Sequence, residues 1–126
     1  MKKIVVAGTR SFNDYSIAEK YIQNCLAKEN LDEPTSFISG GCRGADILGQ
    51  KYAEKYGFPI EIHKAEWNKY GRAAGPIRNK EMAQIADIII CFWDQKSKGT
   101  KSLIDFAKRL NKTVYIMDLS DKTNNI

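Results

Sequence analysis

Ser36-Phe37-Ile38-Ser39-Gly40-Gly41-Cys42-Arg43-Gly44-Ala45-Asp46 passes from a short apolar run, through a glycine turn, into a helix start. Glycines between a strand and a helix let the backbone turn sharply and approach a neighbouring group closely. The helix that follows has Leu48, Tyr52 and Tyr56 on one stripe and Ala45, Gly49 and Ala53 on a narrow neighbouring one. Gly57 stops it.

The same alternation recurs on both sides. Ile4 to Ala7 is a β-type run ending at Gly8, as expected of a strand buried on both faces. Asn13-Asp14 can cap a helix carrying Ile17, Tyr21 and Cys25 beside Ile22 and Leu26. Pro59 to His63 alternates Ile60 and Ile62 with polar residues behind a leading proline, which predicts an edge strand. A long loop over 64–74, with Trp67 and Tyr70, leads to a helix from about Pro76 through Met82 and Ile85. Ile88 to Trp93 is the most apolar strand. A helix with Leu103, Phe106, Ala107 and Leu110 and a last strand, Thr113 to Met117, complete the pattern.

Strands alternating with helices predict an α/β, Rossmann-like three-layer sandwich. Its five-stranded parallel sheet takes the order 3-2-1-4-5, with the alternating third strand on an edge and the apolar first and fourth strands inside. One domain over 1–118 and a polar tail over 119–126 account for the 126 residues. No apolar run approaches the ~20 residues that span a bilayer. Three cysteines without a Cys-x-x-Cys pair and a single histidine, His63, argue against a disulfide framework or a zinc site. Reduced thiols suggest a cytoplasmic protein. The net charge of +5 is scattered and reads as a solvated basic surface.

In open parallel sheets ligands bind beyond the carboxyl ends of the strands, where the order reverses. Here that crevice receives Gly8, Thr9 and Arg10; Ser39, Gly40, Gly41, Arg43, Gly44 and Asp46; Trp67, Gly75, Pro76, Arg78 and Asn79; and Trp93, Asp94, Ser97, Gly99 and Thr100. Helix N-terminal amides favour anions, and guanidinium forks match phosphate oxygens. Three arginines (10, 43 and 78) beside three helix starts therefore predict a phosphate-bearing, nucleotide-like ligand. Simpler roles exist for the single residues. Arg78 can cap a carbonyl or pair with Asp87, and Trp67, Tyr70 and Trp93 can pack rather than stack on a base. Asp46 can serve the helix dipole, and Cys42 can be inert.

Gly8-Thr9-Arg10, the Gly40–Asp46 turn, Gly75-Pro76-Ile77-Arg78-Asn79 and Gly99-Thr100 together resemble the SLOG superfamily, in its small YspA-type branch, from Lys3 to about Met117. The resemblance implies kinship with the LOG phosphoribohydrolases and the DNA-processing protein A family. It also implies a nucleotide-, NAD- or ADP-ribose-derived ligand and a homodimer or larger assembly. LOG enzymes carry Arg-Lys-x-x-Met, matched by Arg78 and Met82 with Asn79 in place of lysine, and Gly-Gly-x-Gly-Thr-x-x-Glu, matched at Gly99-Thr100. Leu103 stands where that motif has its glutamate. The resemblance thus implies binding, as a sensor or sequestering protein, without implying turnover. Two alternatives follow: an N-glycosidase or ribosyl transferase with Asp94, Asp46 or Arg78 in the catalytic role, and a nucleic-acid-binding domain, for which no basic stripe speaks. No acidic cluster demands a metal; magnesium would enter only with the phosphates.

Overall fold

The computed structural model describes residues 1–120. Its elements run β1 (Lys2–Gly8), α1 (Tyr15–Ala27), β2 (Thr35–Ser39), α2 (Ala45–Lys55), β3 (Ile60–Ile62), α3 (Trp67–Tyr70), a 3-10 turn (Gly71–Ala73), α4 (Ala74–Ile85), β4 (Ile88–Trp93), α5 (Lys98–Arg109) and β5 (Thr113–Asp118). All strand pairings are parallel, in the order β3-β2-β1-β4-β5. This is the Rossmann-like arrangement expected from the alternating pattern.

The period-2 geometry of the central strands sorts the core into two layers. Ile4 and Val6 of β1 and Ile88, Ile90 and Phe92 of β4 face α1 and α2, where they meet Ala18, Ile22, Leu48 and Tyr52. Val5, Ala7, Ile89 and Cys91 face the other way, onto Met82, Ala83, Leu103 and Ala107 of α4 and α5. The continuous apolar runs therefore mean burial on both faces. The narrow stripe of α2 has a matching cause: a Cβ on Gly49 would lie 2.5 Å from the Cβ of Val6. Only a glycine lets α2 cross β1 this closely.

The edge assignment of β3 holds, and all three of its residues are exposed. Asp14 caps α1 by accepting from the Ile17 amide at 3.2 Å. The 64–74 stretch differs from the expected loop, because α3 and the 3-10 turn occupy most of it. Helix α4 accordingly begins at Ala74, and Pro76 is its third residue rather than its first. The first helical turn has no intrahelical use for its amides, so proline is tolerated there too. Strand β5 continues to Asp118, and the next residue, Leu119, donates to the Trp93 carbonyl and packs on the core. Of the expected 119–126 tail, residues 121–126 lie outside the described residues. No helix among the described residues is long and apolar enough to cross a membrane.

Candidate functional site

Beyond the C-terminal ends of β1, β2 and β4 lies a crevice of about 390 Å³. Loop β1–α1 supplies Gly8, Thr9 and Arg10, and the turn before α2 supplies Arg43 and, inside the helix, Asp46. Helix α4 adds Arg78 and Asn79, and the start of α5 adds Ser97, Gly99 and Thr100. The predicted loops thus do converge. The walls also include Ser11, Cys42, Met82 and Leu103, which sequence reasoning did not place in the ligand site. Met82 and Leu103 could have been found from helical spacing, one turn after Arg78 and Thr100.

The floor is tied together by buried polar groups. Thr9, only 6% exposed, accepts the Asp94 amide on Oγ1 at 3.1 Å, and its carbonyl accepts the Ala45 amide at 3.3 Å. One residue so joins β1, β4 and the start of α2. Asn79 accepts from Arg78 Nε at 3.0 Å and donates to the Gly99 carbonyl at 3.1 Å, fixing α4 to α5. Ser97 caps α5, its hydroxyl 3.0 Å from that of Thr100. The amides of Lys98 and Gly99, in the first turn of α5, have no intrahelical acceptor. The crevice therefore meets helix N-termini from α2 and α5, but a flank of α4, since Gly75 and Pro76 lie away from it.

The three arginines are not equivalent. Arg78 is committed to the protein: Nη1 donates to the Gly40 carbonyl at 2.7 Å and to the His63 carbonyl at 3.3 Å. This is the carbonyl-capping role, while Asp87 accepts the Lys3 amide instead. Arg10 and Arg43 are exposed. Among the described residues neither guanidinium enters a hydrogen bond or an ion pair.

The two candidate carboxylates also part. Asp46 is 5% exposed, and its Oδ2 accepts the Cys42 amide at 3.3 Å. Burial pushes its carboxyl up to about 6, against the downward pull of that amide, of Arg78, of the Gly8 amide and, least, of the Arg10 charge. Asp94 does not line this crevice. Its Oδ1 accepts the amides of Lys96 and Ser97, which hold its carboxyl below the usual range.

Several predicted ligand residues turn out to shape the site instead of lining it. A Cβ on Gly40 would lie 2.7 Å from Arg78 Nη1 and 2.8 Å from Asp46 Oδ2. Gly44 has φ +82°, and a Cβ there would lie 2.4 Å from the Arg10 carbonyl oxygen. Gly41 has a positive φ as well and faces Ile62. Ser39 accepts the Gly41 amide and the Gln50 amide group. Trp93 donates from Nε1 to the Ser97 carbonyl and packs on the α4–α5 core. Trp67 is 55% exposed, its ring edge near Gly75. No cluster of three or more metal-ligating side chains forms among the described residues.

Comparison with known proteins agrees with this fold. The chain is 28% identical to the Gene 61 protein of Mycobacterium phage D29, over 97% of its own length and 99% of that protein. Its fold resembles that of DNA processing protein A (DprA) from Streptococcus pneumoniae, with a TM-score of 0.68 at 18% identity. That likeness covers 91% of this chain but 49% of DprA, so the chain spans about half of that protein. The family model for YspA, cpYpsA-related SLOG proteins matches residues 2–70. The glycine turns, the sheet order and this match place the chain in the YspA-related SLOG family.

Proposed function

We propose that the chain binds a nucleotide-derived, phosphate-bearing small molecule, of the ADP-ribose, NAD-derived or cyclic-nucleotide kind, as a sensor or sequestering protein. One observation carries the reading: among the described residues Arg10 and Arg43 have no hydrogen-bond or ion-pair partner, and they stand at a crevice whose far wall is the Ser97-capped first turn of α5, where the Gly99 amide has no intrahelical acceptor. Unpaired guanidinium groups and free amides around one cavity make a site for phosphate oxygens. A cavity of about 390 Å³ falls within the size range of small-molecule sites. The position where LOG enzymes have a glutamate is here a core residue, Leu103, 1% exposed.

Thermal unfolding with AMP, ADP-ribose and NAD tests this. Saturating ligand at 100 times its Kd stabilises by about 2.7 kcal/mol, a rise of several degrees. Wild type should show that rise with at least one of the three, and Arg43→Ala should lose it. No rise with any of them contradicts the reading.

Asp46 favours a second reading. A carboxyl titrating near 6 on the floor of the crevice suits proton transfer, as in cleavage of an N-glycosidic bond. Released base on incubation with nucleotides, abolished in Asp46→Asn, would support it; intact nucleotides at high protein concentration would remove it. Likeness to DprA concerns the fold and carries no DNA-binding role by itself.

A further inference from the structure

A second cavity of about 360 Å³ opens on the α1 side of the same sheet edge. Only the β1–α1 loop separates the two, and Thr9 and Ser11 line both. Their chemistry is opposite. The crevice has Arg10, Arg43 and Arg78; among the described residues the second cavity has no cation in its wall but two carboxylates, Asp14 and Asp94. Beside the Thr9 and Ser11 hydroxyls, its surface is apolar, from Phe12, Ile17 and Leu119. Phe12 is fixed by stacking on Phe92 with ring centroids 4.9 Å apart, so this wall is preformed. Asp14 uses Oδ1 to cap α1, and Asp94 uses Oδ1 for two backbone amides.

Such a surface repels phosphate and accepts an apolar ring system that carries hydroxyl or amine donors. A nucleoside has that character: a flat base for the Phe12–Ile17 wall and ribose hydroxyls for the carboxylates. Acidic side chains at strand ends hold ribose hydroxyls in other parallel sheets, where dinucleotides lie across the edge. The geometry points to a second subsite for the same ligand, in which Phe12, Ile17, Asp14 and Asp94 hold a nucleoside. The pyrophosphate then crosses Ser11 to Arg10, and a second sugar enters the crevice. This rests on the crevice reading above and narrows it to two-ended ligands, a nucleoside joined through pyrophosphate to another sugar.

Isothermal titration of the full chain with ADP-ribose and with ribose 5-phosphate tests the subsite. Ribose 5-phosphate can fill the crevice alone, so ADP-ribose should bind at least tenfold more tightly. Two variants address the subsite and keep the start of α1. Asp14→Asn retains a good N-cap, and Ile17→Glu places glutamate at the third helical position, where it supports the cap. Each should weaken ADP-ribose about tenfold, Asp14→Asn by replacing a charged acceptor with a neutral one and Ile17→Glu by removing apolar contact with the base. Neither should change ribose 5-phosphate more than about twofold. Equal affinity of the two ligands, or equal losses for both in the variants, overturns the subsite and leaves the crevice intact. Binding of neither ligand overturns the crevice reading and the subsite with it.

Discussion

The floor and the rim of the crevice carry the same kinds of side chain in opposite states. On the floor, Arg78, Asn79, Thr9 and Ser39 have partners on other elements, and Asp46 is buried beneath them. On the rim, Arg10 and Arg43 have no hydrogen-bond or ion-pair partner among the described residues. A guanidinium held by two carbonyls organises a fold; one left in water is available to a ligand. Floor changes should therefore act on stability, and rim changes on binding.

Gly44→Ala breaks the floor most severely. A Cβ there meets the carbonyl oxygens of Arg10 and Thr9 at 2.4 and 2.5 Å, at a φ of +82°. Backbone atoms cannot yield as a side-chain end can, so we expect a loss of about 3–4 kcal/mol in urea unfolding, or no folded protein. Arg78→Ala comes next. It leaves the Gly40 and His63 carbonyls without this donor and should cost about 2 kcal/mol. Arg78→Lys should recover only part, because one ammonium cannot reproduce the fork that also reaches Asn79.

Asp46 sharpens the comparison through pH. Its carboxyl is raised from 3.8 to about 6 in the fold, so between those values the native state binds more protons than the unfolded state. Its contribution to stability is then lost as pH rises from about 4 through 6, by about 2–3 kcal/mol in all. Asp46→Asn should flatten that part of the profile and unfold at a higher urea concentration at pH 7. An unchanged pH profile would contradict the burial effect. On the rim, Arg10→Ala and Arg43→Ala should alter stability by no more than about 0.5 kcal/mol.

The fold was legible where one physical cause dominated. Continuous apolar runs marked β1 and β4, and strict alternation marked β3 as an edge; the close crossing behind the small stripe of α2 shows only in the fold. Glycine turns marked the crevice. Which arginine the fold itself uses could not be read in the same way. The acceptors of Arg78 lie 38 and 15 residues away and are backbone carbonyls, which every residue has. Only the tertiary placement of α4, which lets Arg78 reach the loops after β2 and β3, selects them. Gly40 misleads for the same reason, since the groups its missing side chain admits are Arg78 and Asp46. The helical turns over 67–73 lack a long apolar period, so the stretch read as loop. That moved the start of α4, and it set Trp67 near Gly75.

The most direct test of the rim as a binding surface is calorimetric titration of ADP-ribose into wild type and into Arg10→Ala/Arg43→Ala, with urea unfolding of both. The unpaired guanidinium groups predict that the double variant unfolds at the wild-type urea concentration yet loses affinity by about a hundredfold or more. Full affinity in a stable double variant would contradict the assignment of the rim to the ligand.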